Sequence, residues 1–221
     1  MKRFQSVEKA ALLVVDLQPD FMNDGPLSVP GADEIIRPIG QIMELPFFKL
    51  IAATQDWHPR EHISFASNHP GKKPMDVIQL HGHPQILWPD HCVQGTPGAA
   101  LHPALSWEKA SVIIRKAMDP SIDSYSAFRN NWGPNGERSP TGLAGYLRDC
   151  GVKILFICGL ARDFCVSWSA EDAANEGFDV CILWELSRAI DTKCDKRIRK
   201  DLTDRGITTM SLSGLRHRAV R

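Results

Sequence analysis

The chain has 221 residues, of which 43% are hydrophobic and 24% charged, and its 26 basic side chains balance 26 acidic ones. This size suits one α/β domain with a complete core. A formal net charge of zero gives no reason to expect nucleic acid or an anionic membrane as a partner. No apolar run approaches the length of a membrane span, and the first one, at 10–15, is too short for a signal peptide. The six cysteines form no CxxC pair, so we expect a reduced, cytoplasmic protein.

Apolar runs alternate with helical patterns along the chain. In order, the predicted elements are a strand at 11–16, a helix at 32–45, strands at 50–56 and 111–116, a helix at 141–150, a strand at 153–159, a helix at 164–176, a strand at 179–186, a helix at 192–205 and a short strand at 207–212. Near-continuous apolar runs are typical of strands that are buried on both faces. The alternation therefore predicts βαβ units and a single α/β/α domain over 1–221, with a parallel sheet between helical layers.

One segment interrupts this alternation. Between 57 and 107 the sequence shows no convincing helix or strand, so we predict a long loop insertion there. A loop of this length inside a compact domain is usually functional or disordered. Three tryptophans, at 57, 88 and 107, argue against disorder.

Reactive side chains follow the first four predicted strands. Asp16, Asp56 and Lys116 end three of them, and the fourth leads through a short turn to Cys165. Each residue alone has an ordinary structural explanation, such as a turn cap or a core thiol. Ligands of parallel α/β sheets bind beyond the carboxyl ends of the strands, however, so four such residues together indicate a site.

The residue types suggest nucleophilic catalysis. A cysteine at the start of a helix lies where unpaired N–H groups favour the thiolate. Asp16 could accept the thiol proton and pass it to a leaving amine, while Lys116 would hold both groups electrostatically. The backbone N–H groups of Ala161 and Cys165 could form an oxyanion hole.

A second group of residues begins at the end of the second strand. Asp56 and His58 are two positions apart, so they share one side of an extended segment, and His62 and His91 follow. A carboxylate with imidazoles suits one divalent metal ion such as Zn²⁺, Fe²⁺ or Mn²⁺. Taken alone, the spacing is also compatible with ordinary polar loop histidines.

Five segments in this order closely resemble the nicotinamidase (pyrazinamidase) family of the isochorismatase-like superfamily. They are LLVVDLQPDFMNDGPLSVPGA, ATQDWHPREHISFAS, LWPDHCVQGTPGA, IIRKAMDPSIDSYSAF and CGLARDFCVSWSAEDA. The resemblance runs from 12 to 189. It implies an isochorismatase-like hydrolase fold with a six-stranded parallel sheet, and hydrolysis of nicotinamide to nicotinate and ammonia through a thioester on Cys165. It also implies activity on pyrazinamide and a place in NAD salvage.

The resemblance assigns further residues. It implies a catalytic triad of Asp16, Lys116 and Cys165, and metal ligands at Asp56, His58 and His91. His62 corresponds to a ligand in some members only, and zinc is the expected ion, with iron or manganese as alternatives. A cis peptide is implied between Leu160 and Ala161. The positions that pack against the substrate ring correspond to Phe21, Leu27, Trp88 and Tyr125.

The chain departs from the family at Phe164, where members often carry Tyr or His, so this side of the substrate pocket is expected to be more apolar. Residues 66–87 vary in length across the family, and they could form a lid or a contact in a homo-oligomer. Two other functions stay open. One is a related amidase acting on a carbamoyl or ureido substrate. The other is a catalytically silent protein on this fold that binds metal or senses redox state.

Overall fold

A six-stranded, wholly parallel sheet forms the centre of the computed structural model, which describes residues 9–219. Its strands run in the order β5-β2-β1-β6-β7-β8. They are β1 (Ala10–Val15), β2 (Leu50–Asp56), β5 (Ala110–Lys116), β6 (Ile154–Gly159), β7 (Asp179–Ser187) and β8 (Thr208–Met210). The central strands β1 and β6 are buried along their whole length, whereas β5 alternates between exposed and half-buried residues because it lies at an edge. The predicted six-stranded parallel sheet is confirmed.

Helices cover both faces of this sheet. On one face lie α1 (Ala32–Met43) and α5 (Leu212–Ala219), and on the other lie α2 (Leu143–Asp149), α3 (Ser167–Asn175) and α4 (Asp195–Asp204). The apolar residues of α1 recur at helical spacing, so one stripe of the helix packs on the sheet. The result is the predicted three-layer α/β/α arrangement. No helix in the described part of the chain is long and apolar enough to cross a bilayer.

Several predicted boundaries were wrong near the helix ends. The helix predicted at 164–176 begins at Ser167, because Arg162–Val166 forms a π-helical turn before it. The helix predicted at 192–205 begins at Asp195, after a 3₁₀ turn. Helix α5 was not predicted, and the strand before it is only three residues long.

The prediction of no strand between 57 and 107 was also wrong. A two-stranded antiparallel hairpin, β3 (Val77–Leu80) and β4 (His83–Ile86), lies within this segment. Its two turn residues, His81 and Gly82, have φ values of 50° and 82°. Two-residue hairpin turns favour positive φ values, because their twist then matches that of the strands. Residues 1–8 and 220–221 of the predicted domain lie outside the described residues.

Candidate active site

The reactive side chains meet at the carboxyl edge of the sheet. Asp16 directly follows β1, Asp56 ends β2, and Lys116 ends β5, where it is paired in register with Asp56. Cys165 comes from the π-helical turn after β6. All four side chains are buried. Because β5, β2, β1 and β6 are consecutive neighbours, the sheet itself brings these residues together.

The ammonium group of Lys116 lies at the centre of the cluster. Its Nζ is 2.8 Å from Asp16 Oδ2, 2.5 Å from Asp56 Oδ1 and 3.5 Å from Cys165 Sγ. It also donates a hydrogen bond to the Ser124 carbonyl at 3.3 Å. One buried cation therefore contacts two carboxylates and the thiol.

These contacts shift the proton affinities of the cluster. Burial raises the pKa of Asp16 to about 6, even though the Lys116 charge opposes that shift. Burial also works to raise the pKa of Asp56, but Lys116 and the neighbouring histidines outweigh it and hold that pKa below its usual range. The pKa of Lys116 lies well above its ordinary value: burial acts to lower it, but the two carboxylates outweigh that effect.

The thiol of Cys165 departs from the sequence-based expectation. Burial raises the pKa of Cys165 well above its ordinary value, and Asp16 and Asp56 add to this effect. Lys116 opposes them without cancelling them. We had expected the start of the helix to favour a resting thiolate. The raised pKa of Cys165 shows that this expectation was wrong. At neutral pH a protonated thiol lies beside an ionised Asp16, which is an arrangement suited to proton transfer from sulfur to carboxylate.

Backbone hydrogen bonds hold the turn that carries Cys165. The N–H groups of Phe164 and Val166 donate to the Ala161 carbonyl at 3.1 and 3.0 Å. Immediately before the turn, Gly159 has a φ of 110°, and a Cβ there would lie 2.1 Å from the Val15 carbonyl oxygen, so only glycine fits. The peptide between Leu160 and Ala161 is cis.

A small pocket opens onto Cys165. All five residues predicted to bind substrate line the pocket, namely Phe21, Leu27, Trp88, Tyr125 and Phe164. Ala161 and the three predicted metal ligands, Asp56, His58 and His91, line it as well. The rings of Trp88 and Phe164 meet edge to face at a centroid distance of 4.9 Å, and Tyr125 lies 5.5 Å from Phe164. The pocket therefore has an aromatic wall, formed by Trp88, Tyr125 and Phe164, as well as a polar side.

The polar side has the chemistry of a metal centre. Ligand atoms of Asp56, His58 and His91 lie within 4.8 Å of one another. Asp56 Oδ2 is 3.6 Å from His58 Nε2 and 3.9 Å from His91 Nε2. Both ring nitrogens of His58 are buried without a hydrogen-bond partner, which is costly unless another group binds there. Nδ1 of His91 lies 2.8 Å from the Pro89 carbonyl and can donate to it, which leaves Nε2 free to bind an ion. The residues fit a divalent metal.

His62 differs from His58. Its Nδ1 lies 2.7 Å from Ser64 Oγ, and its Nε2 lies 3.3 Å from the Ile122 carbonyl. Both ring nitrogens thus have protein partners in this conformation. Burial lowers the pKa of His62 to about 4, and it does the same for His91. Ligation by His62 stays a prediction.

Sequence reasoning missed several residues that shape this site. Thr54 Oγ1 donates to Asp16 Oδ1 at 2.6 Å, and the Gln18 side chain makes two hydrogen bonds to the backbone of Asp56. Asp123 and Ile190 also line the pocket. A polar residue inside a buried apolar strand, such as Thr54, was the available signal, because such a residue needs a buried partner.

The fold and the site together define a three-layer α/β protein with a buried cysteine, lysine and aspartate at the carboxyl edge of its sheet. Residues 10–214 match the family model described as the isochorismatase domain. The chain therefore belongs to the isochorismatase family.

Known members of this family resemble the chain closely. A nicotinamidase of Acinetobacter baylyi is 49% identical over 86% of both chains. A solved nicotinamidase/pyrazinamidase structure from Acinetobacter baumanii has 40% identity and a TM-score of 0.88, and the match covers 94% of this chain and 98% of that one. A pyrazinamidase structure from Pyrococcus horikoshii in complex with zinc has 37% identity and a TM-score of 0.73, covering 92% and 99%.

Proposed function

We propose that this chain is a metal-containing cysteine amidohydrolase that converts nicotinamide to nicotinate and ammonia, the reaction expected in NAD salvage. The observation that carries the proposal is the contact of one buried ammonium group, on Lys116, with Asp16, Asp56 and the Cys165 thiol. This cluster opens into a small aromatic pocket. The similarity to the nicotinamidases of the two Acinetobacter species supports the choice of substrate.

The first half of the reaction forms a thioester. Asp16 takes the proton of the Cys165 thiol, and the sulfur attacks the amide carbonyl carbon, so that an S–C bond forms. The backbone N–H groups of Ala161 and Cys165 stabilise the negative oxygen of the tetrahedral intermediate. When the C–N bond breaks, Asp16 returns its proton to the departing nitrogen, which leaves as ammonia. The pKa of about 6 for Asp16 suits both directions of transfer near neutral pH.

The second half hydrolyses the thioester. Asp16 accepts a proton from water, the hydroxide attacks the acyl carbon, and the C–S bond breaks. The proton on Asp16 then returns to the sulfur of Cys165, which restores the resting state. Lys116 stays protonated throughout, because its pKa is well above the ordinary value. Its charge stabilises ionised Asp16 and the transient thiolate.

The residues Asp56, His58 and His91 would hold one divalent metal ion, with zinc as the proposed ion, supported by the zinc complex of the Pyrococcus relative. When bound, the ion supplies a Lewis-acid site that the pyridine nitrogen of nicotinamide can occupy. The aromatic wall formed by Trp88 and Phe164 would then hold the flat ring.

The remaining features are part of the same proposal. We propose activity on pyrazinamide, whose ring differs from that of nicotinamide by one additional nitrogen. A single domain and a cytoplasmic location are proposed as well, the latter because all six cysteines are free thiols. Assembly into a homo-oligomer stays a prediction.

Ammonia release is the direct test. The purified protein, loaded with zinc, is assayed with nicotinamide, pyrazinamide and an N-carbamoyl amide at equal concentrations. We expect ammonia and the free carboxylate from the two ring carboxamides and a much lower rate with the carbamoyl compound. Preference for the carbamoyl compound would overturn the substrate assignment and favour the related amidase activity.

A further inference from the structure

Asp123 is a buried carboxylate that the proposed reaction does not use. Asp123 is 2% exposed, and it lines the pocket beside Cys165. Oδ1 accepts a hydrogen bond from the Ser124 N–H at 2.8 Å, and Oδ2 accepts one from Gln85 Nε2 at 2.6 Å. No Lys or Arg pairs with Asp123 in the ion pairs found among the described residues. A buried carboxylate in such surroundings normally faces a positive group or a metal-bound ligand.

The partner that fits is His58. Ligand atoms of Asp123, His58 and His62 lie within 4.8 Å of one another. Both nitrogens of His62 already have partners, whereas neither nitrogen of His58 has one. His58 Nε2 lies 3.6 Å from Asp56 Oδ2, so this nitrogen faces the proposed metal ligands. Nδ1 is the second ring nitrogen of His58, and it is buried without a hydrogen-bond partner.

We infer that Asp123 is the positioning residue for His58, the carboxylate that accepts the His58 Nδ1–H, directly or through one water, and orients Nε2 toward the metal. The inference rests on the proposed metal centre. Metal-binding histidines commonly donate their second N–H to a carboxylate or carbonyl, which fixes the ring orientation and increases the basicity of the ligand nitrogen. His91 shows the same arrangement with the Pro89 carbonyl. Asp123 thus supplies for His58 what a backbone carbonyl supplies for His91.

The hairpin takes part in this arrangement. Gln85 comes from β4, and its amide also lies 3.2 Å from the Tyr125 hydroxyl, which accepts a hydrogen bond from Trp88 Nε1 at the same distance. One buried hydrogen-bond network therefore joins Asp123 to the aromatic side chains Tyr125 and Trp88.

Zinc affinity tests the inference without relying on turnover. Metal-free wild type, Asp123→Asn, Asp123→Glu and Asp119→Asn are titrated with zinc against a chromophoric chelator. We expect one zinc per wild-type chain and an affinity about 10–100-fold lower for Asp123→Asn. Asp123→Glu, which keeps a carboxylate, should recover part of that loss. Asp119 is an exposed carboxylate on the same loop, so Asp119→Asn is the matched control and should bind zinc as the wild type does.

Thermal unfolding of the four metal-free proteins separates positioning from folding. The inference predicts that Asp123→Asn loses zinc affinity while its metal-free unfolding midpoint stays near that of Asp123→Glu. A wild type that binds one zinc and an Asp123→Asn variant of equal affinity would overturn the inference alone. Two zinc ions per wild-type chain, of which Asp123→Asn loses one completely, would also overturn it, since Asp123 would then be a ligand. A wild type that binds no divalent metal would instead refute the proposed metal centre.

Discussion

Replacing Asp16 by Asn should remove activity and at the same time stabilise the metal-free protein. Asp16 is completely buried, and burial raises its pKa from 3.8 to about 6 despite the neighbouring Lys116. Each pKa unit is worth 1.36 kcal/mol, so the ionised carboxylate costs the folded state about 3 kcal/mol relative to an exposed one. Asparagine has nearly the same shape and no charge, and Thr54 can still donate to its oxygen. The variant should lose that cost.

The stability difference between wild type and variant should depend on pH, because the pKa of Asp16 differs between the folded and the unfolded protein. Below pH 3.8 the carboxyl group is protonated in both the folded and the unfolded protein, so wild type and variant should be equally stable. Between pH 4 and 6 the unfolded chain releases its proton more readily, so the wild type loses stability as pH rises. Above pH 6 the difference should reach its full value, about 3 kcal/mol, or roughly 6–12 °C in Tm for a chain of this size.

Urea unfolding of both metal-free proteins at pH 4, 5, 6 and 8 measures this difference. The ammonia assay on the zinc-loaded proteins measures activity, which should fall about 10²–10⁴-fold when the base is lost. A variant that is less stable than the wild type at pH 8 would refute the reasoning, because the ion pair with Lys116 would then outweigh the burial cost of Asp16.

Three further predictions concern the same site. Cys165→Ala should reduce kcat by roughly 10⁴–10⁶-fold with an unchanged circular dichroism spectrum, and near-normal turnover would exclude a thioester mechanism. The kcat/KM for nicotinamide should rise through about pH 6, as Asp16 ionises. It should then show no fall up to pH 9, because the pKa values of Lys116 and Cys165 are raised. A maximum of kcat/KM below pH 6 would contradict this. Phe164→Ala should raise KM about 3–10-fold with a smaller effect on kcat, since it removes the edge-to-face contact with Trp88. Phe164→Tyr keeps the ring and should retain most of the affinity for nicotinamide. Equal KM values for the two variants would contradict the assignment of Phe164 to the aromatic wall.

The meeting of Asp16, Asp56 and Lys116 was predictable because parallel strands all end at one edge of the sheet. A sequence in which Asp16, Asp56 and Lys116 each follow an apolar run needs only the parallel topology to bring them together, and the structure has that topology. The protonation of Cys165 was not predictable in this way. It depends on the burial of the thiol and on two carboxylates, Asp16 and Asp56, that lie more than 100 residues earlier in the chain.

Sequence periodicity could not predict the β3–β4 hairpin or the hydrogen bonds that Gln85 makes. Each strand has only four residues, and Pro84 interrupts the second, so neither strand shows a clear pattern. The His81-Gly82 pair was the one local signal, since a glycine in a two-residue turn favours positive φ. Gln85 and Asp123 are 38 residues apart, and only the folded chain shows that they share a hydrogen bond.

Detection of the acyl-enzyme tests the central claim most directly. The zinc-loaded protein is mixed with nicotinamide, quenched in acid within milliseconds, digested and analysed by mass spectrometry. We expect a nicotinoyl group on the peptide that contains Cys165 and on none of the peptides that contain the other five cysteines. Turnover to nicotinate with no acyl group on Cys165 at any quench time, or an acyl group on a different residue, would contradict the account.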